Sequence, residues 1–201
     1  AGLRSRLAGY SIDFAVFAGF VPLTNIAADF PCLNVHPGDL TYIKDGRRHL
    51  IGLHTVPIER AILEDLDAVR TSVLQVLPYT GHGDDMDSGP ILGISAPVPL
   101  DLQGHAVADL RAHFRARPER RPAGGYGDAL EAVARANQES LKVQGDWTVL
   151  PPVVFDFARG RFGLDATQKL CYLLSKRWHP IETVVYGPDG EREILFRSPD
   201  E

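Results

Sequence analysis

Cys32-Leu33-Asn34-Val35-His36-Pro37-Gly38-Asp39 is the stretch on which the reading of this chain turns. Cys32 to Val35 has the apolar density of a buried strand. Pro37 and Gly38 stop regular structure and expose the residues just before them. An amide, Asn34, and an imidazole, His36, therefore fall at the carboxyl end of a strand, where open α/β sheets place their ligand crevice. Further along, Asp87-Ser88-Gly89-Pro90-Ile91 leads from a Gly- and Asp-rich loop into another apolar run. An amide, an imidazole and a carboxylate in one cleft suit acyl or formyl transfer to an amine. The amide holds an oxyanion, the imidazole moves a proton and the carboxylate orients the imidazole. Taken alone, each motif also fits a capped loop or an Asx-turn. Their pairing, each beside a predicted strand, is more specific.

Working outward, Ile12 to Phe20 is a near-continuous apolar run, predicted as a strand buried on both faces. Leu3 to Tyr10 reads as the end of a helix feeding into it, so an upstream segment is expected. Asn25 to Phe30 predicts a short helix, and the polar, basic residues 42–50 a loop. Pro57 to Val69 has apolar residues at helical spacing, with Pro57 in the first turn. Thr71 to Leu77 predicts a strand, 78–89 a loop, and Ile91 to Leu100 a strand whose prolines suggest a position toward an edge. Helices are predicted over 102–117, 127–143 and 150–159, and the basic run Arg115 to Pro122 between the first two as a solvated loop. A further helix is expected near Asp165 to Ser175. Glu182 to Tyr186 and Glu193 to Phe196 then flank Gly187-Pro188-Asp189-Gly190, a hairpin signal. Strands alternate with helices, which predicts an α/β fold with a mainly parallel sheet and flanking helices. Residues 1–163 are expected as the main domain and 164–201 as a small α+β extension.

The chain has 201 residues, enough for one well-buried domain, with 44% apolar and 23% charged residues. A net charge of −5 gives no footprint for nucleic acid. No apolar stretch approaches the roughly 20 residues of a membrane-spanning helix. Cys32 and Cys171 sit among apolar residues and read as reduced, buried thiols of a cytoplasmic protein. No Cys/His cluster has zinc spacing, and no metal is expected.

The two motifs in this order resemble the folate-dependent formyltransferases. That family includes the glycinamide ribonucleotide, methionyl-tRNA and sugar-nucleotide enzymes and formyltetrahydrofolate deformylase. Phe17-Ala18-Gly19-Phe20-Val21, Thr71-Ser72-Val73, and Leu150-Pro151 followed by Ala158-Arg159-Gly160-Arg161 extend the likeness over residues 1–163. The resemblance equates this region with the second half of the family's Rossmann-type catalytic domain.

The resemblance implies 10-formyltetrahydrofolate as formyl donor and a primary amine of a small metabolite as acceptor. It implies Asn34 as oxyanion donor, His36 as proton carrier and Asp87 as its orienting partner. Phe20, Val21, Pro22, Leu23, Asp84, Asp85 and Met86 would line the pterin pocket. Gly38, His54 and Thr55 would lie toward the amine, and His82 is a weaker candidate for either ligand. The departures are equally specific. Where the family commonly has Ser and then Leu-Pro-x-Tyr-x-Gly after His-Pro, this chain has Gly38-Asp39-Leu40-Thr41-Tyr42 and a charged loop. A ribonucleotide substrate has no visible phosphate-binding turn to support it. A formyltetrahydrofolate hydrolase and a non-catalytic folate-binding or assembly module are the alternatives. The tail's helix and hairpin are a candidate homodimer contact.

Overall fold

The computed structural model describes residues 2–19, 24–79 and 87–197. The chain runs α1 (Gly2–Leu7), β1 (Ala15–Phe17), a 3-10 turn (Ile26–Ala28), β2 (Cys32–His36), β3 (Ile43–Lys44), β4 (Arg47–Arg48), α2 (Val56–Leu63) and β5 (Ala68–Val69). It continues through β6 (Ser72–Val76), β7 (Ile91–Ser95), β8 (Val98–Pro99), α3 (Val107–Arg115) and α4 (Ala129–Leu141). A π turn (Lys142–Asp146) joins α4 to α5 (Trp147–Ala158), and β9 (Phe162–Leu164), β10 (Leu170–Leu174), β11 (Arg177–Tyr186) and β12 (Arg192–Phe196) complete it.

The α/β class expected from the sequence holds, with helices flanking one central sheet of order β1-β2-β6-β7-β11-β10-β9 and β12 added to β11. The expected parallel pairing occurs at β1–β2 and β7–β11, while β2–β6, β6–β7 and the pairs beyond β11 are antiparallel. The connection through α2 explains the change of direction. The chain leaves β2 at His36 and enters β6 at Ser72, and these two residues pair across the sheet. A strand re-entered at the end where its neighbour finished must run antiparallel to it.

Period-2 alternation divides the sheet into two faces. On one, Leu33, Val73 and Val184 meet Val149 and Val153 of α5. Burying each such side chain contributes about 1.5–3 kcal/mol. Leu40, Leu74, Ile91 and Ile94 build a smaller cluster. Asn34 pairs with Leu74, and His36 with Ser72, which in turn pairs with Ile94. Asn34 and His36 therefore share the second face, opposite α5. A third cluster joins α2, α3 and α4 through Ile58, Ile62, Leu110, Leu130 and Leu141.

Several expectations are corrected. Among the described residues of the run at 12–20 a strand forms only over Ala15–Phe17, and it lies at the sheet edge with Val16 exposed, not buried on both faces. Residues 42–50 contain the β3–β4 hairpin. Helix α2 stops at Leu63, and Asp65, at φ 61°, turns the chain toward β5. Strand β7 is central and fully buried, and of the prolines beyond it Pro97 precedes and Pro99 belongs to β8, which pairs with β5. The basic run at 115–122 is partly structural: Arg117 is buried between Glu59 and Asp128, at 2.5 and 2.7 Å. The helices over 127–143 and 150–159 are continuous through the π turn, whose Gly145 packs against Thr71 and Leu141 where a Cβ would intrude.

The tail differs most. Leu170–Leu174, within the expected helix, is strand β10. Ser175 and Lys176, both at positive φ, turn β10 into β11, a geometry that Asn-Gly would ordinarily signal. The expected hairpin over 182–196 is present as β11–β12. Residues 164–201, expected as a C-terminal extension, add strands to the main sheet: β11 pairs with β7 and contributes Ile181, Val184 and Tyr186 to the core facing α5. No described helix is long and apolar enough to cross a membrane.

Candidate active site

His36 closes β2, with only 3% of its surface exposed. Its Nε2 lies 2.7 Å from the Leu50 carbonyl oxygen. A carbonyl only accepts, so Nε2 carries the proton and donates. Nδ1 is left facing Asp87, whose Oδ2 is 3.5 Å away. Gly38 makes the first contact possible. A Cβ there would stand 2.5 Å from the Leu50 oxygen, 2.9 Å from His36 Nε2 and 2.9 Å from Pro57 Cβ.

Residues 48–52 form a strap across this imidazole. From α2, Arg60 Nη1 donates to the carbonyls of His49 (2.8 Å) and Ile51 (2.9 Å). Gly52 N lies 3.5 Å from Asp87 Oδ2, the long limit of a hydrogen bond. Arg48 Nη1 donates to the carbonyl of Asp87 and, at 2.9 Å, to that of Gly89. Burial lowers the pKa of the Arg48 guanidinium, and the charge of Asp87 offsets part of that effect. Asp87 has φ 58°, a left-handed conformation that an Asp tolerates but does not prefer.

The structure thus brings His36 and Asp87 together and sets Asn34 on the same sheet face, half-buried. Its side chain makes no hydrogen bond among the described residues. Two of the residues expected toward the amine are buried. Gly38 is buried beneath the strap, and Thr55 is buried at the start of α2, its hydroxyl donating to Glu59 Oε1 at 2.8 Å. His54 is exposed, at φ 57°. Phe20, Val21, Pro22, Leu23, Asp84, Asp85, Met86 and His82 lie outside the described residues.

Sequence reasoning missed Arg48 and the Leu50 carbonyl, because a polar run with no periodicity carries no signal of where its backbone packs. It also missed Asp146. This half-buried residue of the π turn accepts a hydrogen bond from Thr71 Oγ1 at 2.7 Å, one residue before the cross-strand partner of His36. Burial raises its carboxyl pKa, an effect that Thr71, Lys142 and His36 each oppose. Among the described residues no group of three or more His, Cys, Asp or Glu side chains could hold a metal. Both thiols are free and buried, and burial pushes Cys32 up to about 11, too high for a nucleophile near neutral pH.

The architecture is a formyltransferase-like α/β fold. Among solved structures, the chain is similar to the crystal structure of phosphoribosylglycinamide formyltransferase from Anaplasma phagocytophilum, with a TM-score of 0.51 and 15% identity. The likeness covers 92% of this chain and 67% of that one. At that identity it shows the fold. Neither the protein-family models nor the curated proteins compared with the chain give a match.

Proposed function

We propose that this chain transfers a formyl group from 10-formyltetrahydrofolate to the primary amine of a small metabolite, through a tetrahedral intermediate. The observation that carries the reading is the buried His36–Asp87 pair with Asn34 on the same sheet face, in a formyltransferase-like fold. The donor set suits the reacting end of such a donor: one amide N–H group without a protein partner among the described residues, and one imidazole with an acceptor at each nitrogen. When bound, the folate supplies an activated formyl carbon.

The chain's own residues divide the work. Asn34 donates to the oxygen on which negative charge develops, a contact of the kind whose loss costs about 3 kcal/mol in the transition state. His36 Nε2 is committed to Leu50, so Nδ1 is the atom that takes and returns a proton. A ring protonated at both nitrogens satisfies both of its acceptors and places a cation beside the developing charge. Asp87 balances that cation. Their 3.5 Å separation is the slack expected before substrate binds and the contact tightens. With 3% and 8% side-chain exposure, the pair works in a poorly hydrated setting, where each charge interaction is stronger than in water.

The pterin side is assigned to Phe20–Leu23 and Asp84–Met86 by resemblance, and exposed His54 remains the candidate contact for the amine. A cytoplasmic enzyme without nucleic-acid partners fits the net charge of −5. The test is turnover of the purified chain with 10-formyltetrahydrofolate, following tetrahydrofolate release with and without a panel of amino sugars and amino acids. Amine-dependent release, abolished in Asp87→Asn, supports the proposal. Release without an amine identifies a hydrolase. No release together with no folate binding overturns both.

A further inference from the structure

We propose that Arg48 is a positioning residue of the candidate active site, holding the Asp87 carboxylate against His36 by bridging the carbonyls of Asp87 and Gly89. What the His36–Asp87 pair then does rests on the formyl-transfer reading. The positioning itself does not.

Among the described residues, Asp87 is held by its side chain only at long range. Its carboxylate has His36 Nδ1 and Gly52 N at 3.5 Å each, distances at which neither contact fixes an orientation. Its backbone sits in the left-handed region at φ 58°, which an Asp tolerates but does not prefer, so contacts from its surroundings help to hold it there. The described contact that helps to hold it is Arg48. One guanidinium nitrogen reaches both the Asp87 and the Gly89 carbonyls, spanning the residue that links them. Gly89 lies so close to the Gln75 carbonyl that no side chain fits there. The chain is thereby pinned on one side by strand β6 and on the other by Arg48.

The same strap touches the other half of the pair. Leu50, two residues after Arg48, accepts from His36 Nε2 at 2.7 Å, and Arg60 of α2 fixes the carbonyls of His49 and Ile51 on either side of it. Residues 48–51 thus refer both partners to one frame. His36 is tied by the strap's backbone, and Asp87 by the half-buried Arg48. A Lys at 48 keeps the charge but carries its single nitrogen on a flexible stem in place of a rigid planar group, so it holds that nitrogen between the two carbonyls less well.

The experiment follows the His36 imidazole by NMR as a function of pH in the wild-type chain, Arg48→Met, Arg48→Lys and Asp87→Asn, without substrate. Two effects of Arg48→Met oppose each other. Deleting a nearby cation by itself makes the imidazole easier to protonate. Releasing the Asp87 carboxylate makes it harder. Positioning predicts that the His36 midpoint moves down in Arg48→Met, as in Asp87→Asn, and by less in Arg48→Lys. A midpoint that stays or rises in a folded Arg48→Met overturns the proposal. If Met at 48 prevents folding, an unmoved midpoint in Arg48→Lys does the same.

In turnover, kcat is expected to fall roughly 10- to 100-fold in Arg48→Met with KM for the amine little changed, and methylguanidine is expected to restore part of it. A downward NMR shift in a chain that never transfers formyl groups would retain the positioning role and reject only the activity.

Discussion

Asp87 and Asp156 are both buried carboxylates, yet the chain treats them in opposite ways. Asp156, fully buried on α5, accepts from Tyr172 Oη (3.0 Å), Tyr186 Oη (2.9 Å) and Arg192 Nε (2.8 Å), with Arg161 3.6 Å from its other oxygen. Its donors come from β10, β11 and β12, so the interaction welds the tail strands to the helix behind them. Burial, then the Asp156 charge, raises the pKa of the Tyr186 hydroxyl and keeps it a donor. Among the described residues the Asp87 carboxylate has two long contacts, and the residue is held chiefly through its backbone. A saturated carboxylate has no lone pairs left for chemistry and serves stability. A sparsely bonded one, aimed by other groups, can still change partners during a reaction. The distribution of donors, more than burial, separates a structural acid from a functional one.

The largest effect that separates the two regions should come from His36→Ala. Removing a positioned proton carrier commonly costs 10²- to 10⁴-fold, so kcat/KM for formyl transfer is expected to fall by about 10³. The denaturant midpoint should move modestly, because a single carbonyl, that of Leu50, loses its partner. Steady-state turnover and urea unfolding on the same preparation check both halves. A stability loss large enough to explain the inactivity would place His36 with Asp156 as a structural residue.

Asp156→Ala should do the reverse. Stripping the acceptor from a buried ionic network typically costs about 3–5 kcal/mol, because the surviving charge and hydroxyls are left unpaired. Urea unfolding should show that loss, while kcat per folded molecule stays near that of the parent. Unchanged stability would mean that the tail strands are held by Val184, Ile181 and their neighbours without help from this network.

Gly38→Ala sharpens the comparison at smaller scale. Its Cβ would meet the Leu50 oxygen at 2.5 Å and His36 Nε2 at 2.9 Å, so the strap must lift from the imidazole. Overpacking of this kind costs about 1–3 kcal/mol. We expect roughly a 10-fold loss of kcat/KM, with the His36 resonance displaced. Full activity would show that the strap is dispensable to the pair.

How much of this was legible before folding follows from the kind of signal each residue leaves. Asn34, His36 and Asp87 stand beside apolar runs and turn formers, so local pattern marked their neighbourhood, but not the burial of His36, which the turn at Pro37 and Gly38 was expected to expose. Strands β2 and β6 were legible for the same reason. Leu170 to Leu174 was not: five apolar residues fit a helix or a strand, and the turn that decides between them uses Ser175 and Lys176, neither a usual left-handed residue. The role of Gly38 was hidden because the glycine answers to the Leu50 carbonyl, a partner brought in from another segment. Arg48 looked solvated amid Lys44, Asp45 and Arg47, and only the hairpin's place in the fold turns it inward. Contacts that depend on a distant backbone leave no periodicity to read.

Asp146 provides the smallest and most discriminating test, because it lies between the two types. It has one good donor, Thr71 Oγ1, and burial raises its carboxyl pKa above the ordinary 3.8. Above 3.8 and up to the raised native value, the folded chain binds more protons than the unfolded one. Stability contributed by this residue therefore falls as pH rises through that window, and the penalty is fully present above it. Asp146→Asn cannot ionise, yet its Oδ1 still accepts from Thr71. The variant should match the parent in urea unfolding below the ordinary carboxyl value and become the more stable of the two toward neutral pH, by less than any of the preceding changes. A parent that is instead more stable at neutral pH would show that the negative charge is held favourably across the sheet from His36, which would move Asp146 from the structural group to the functional one.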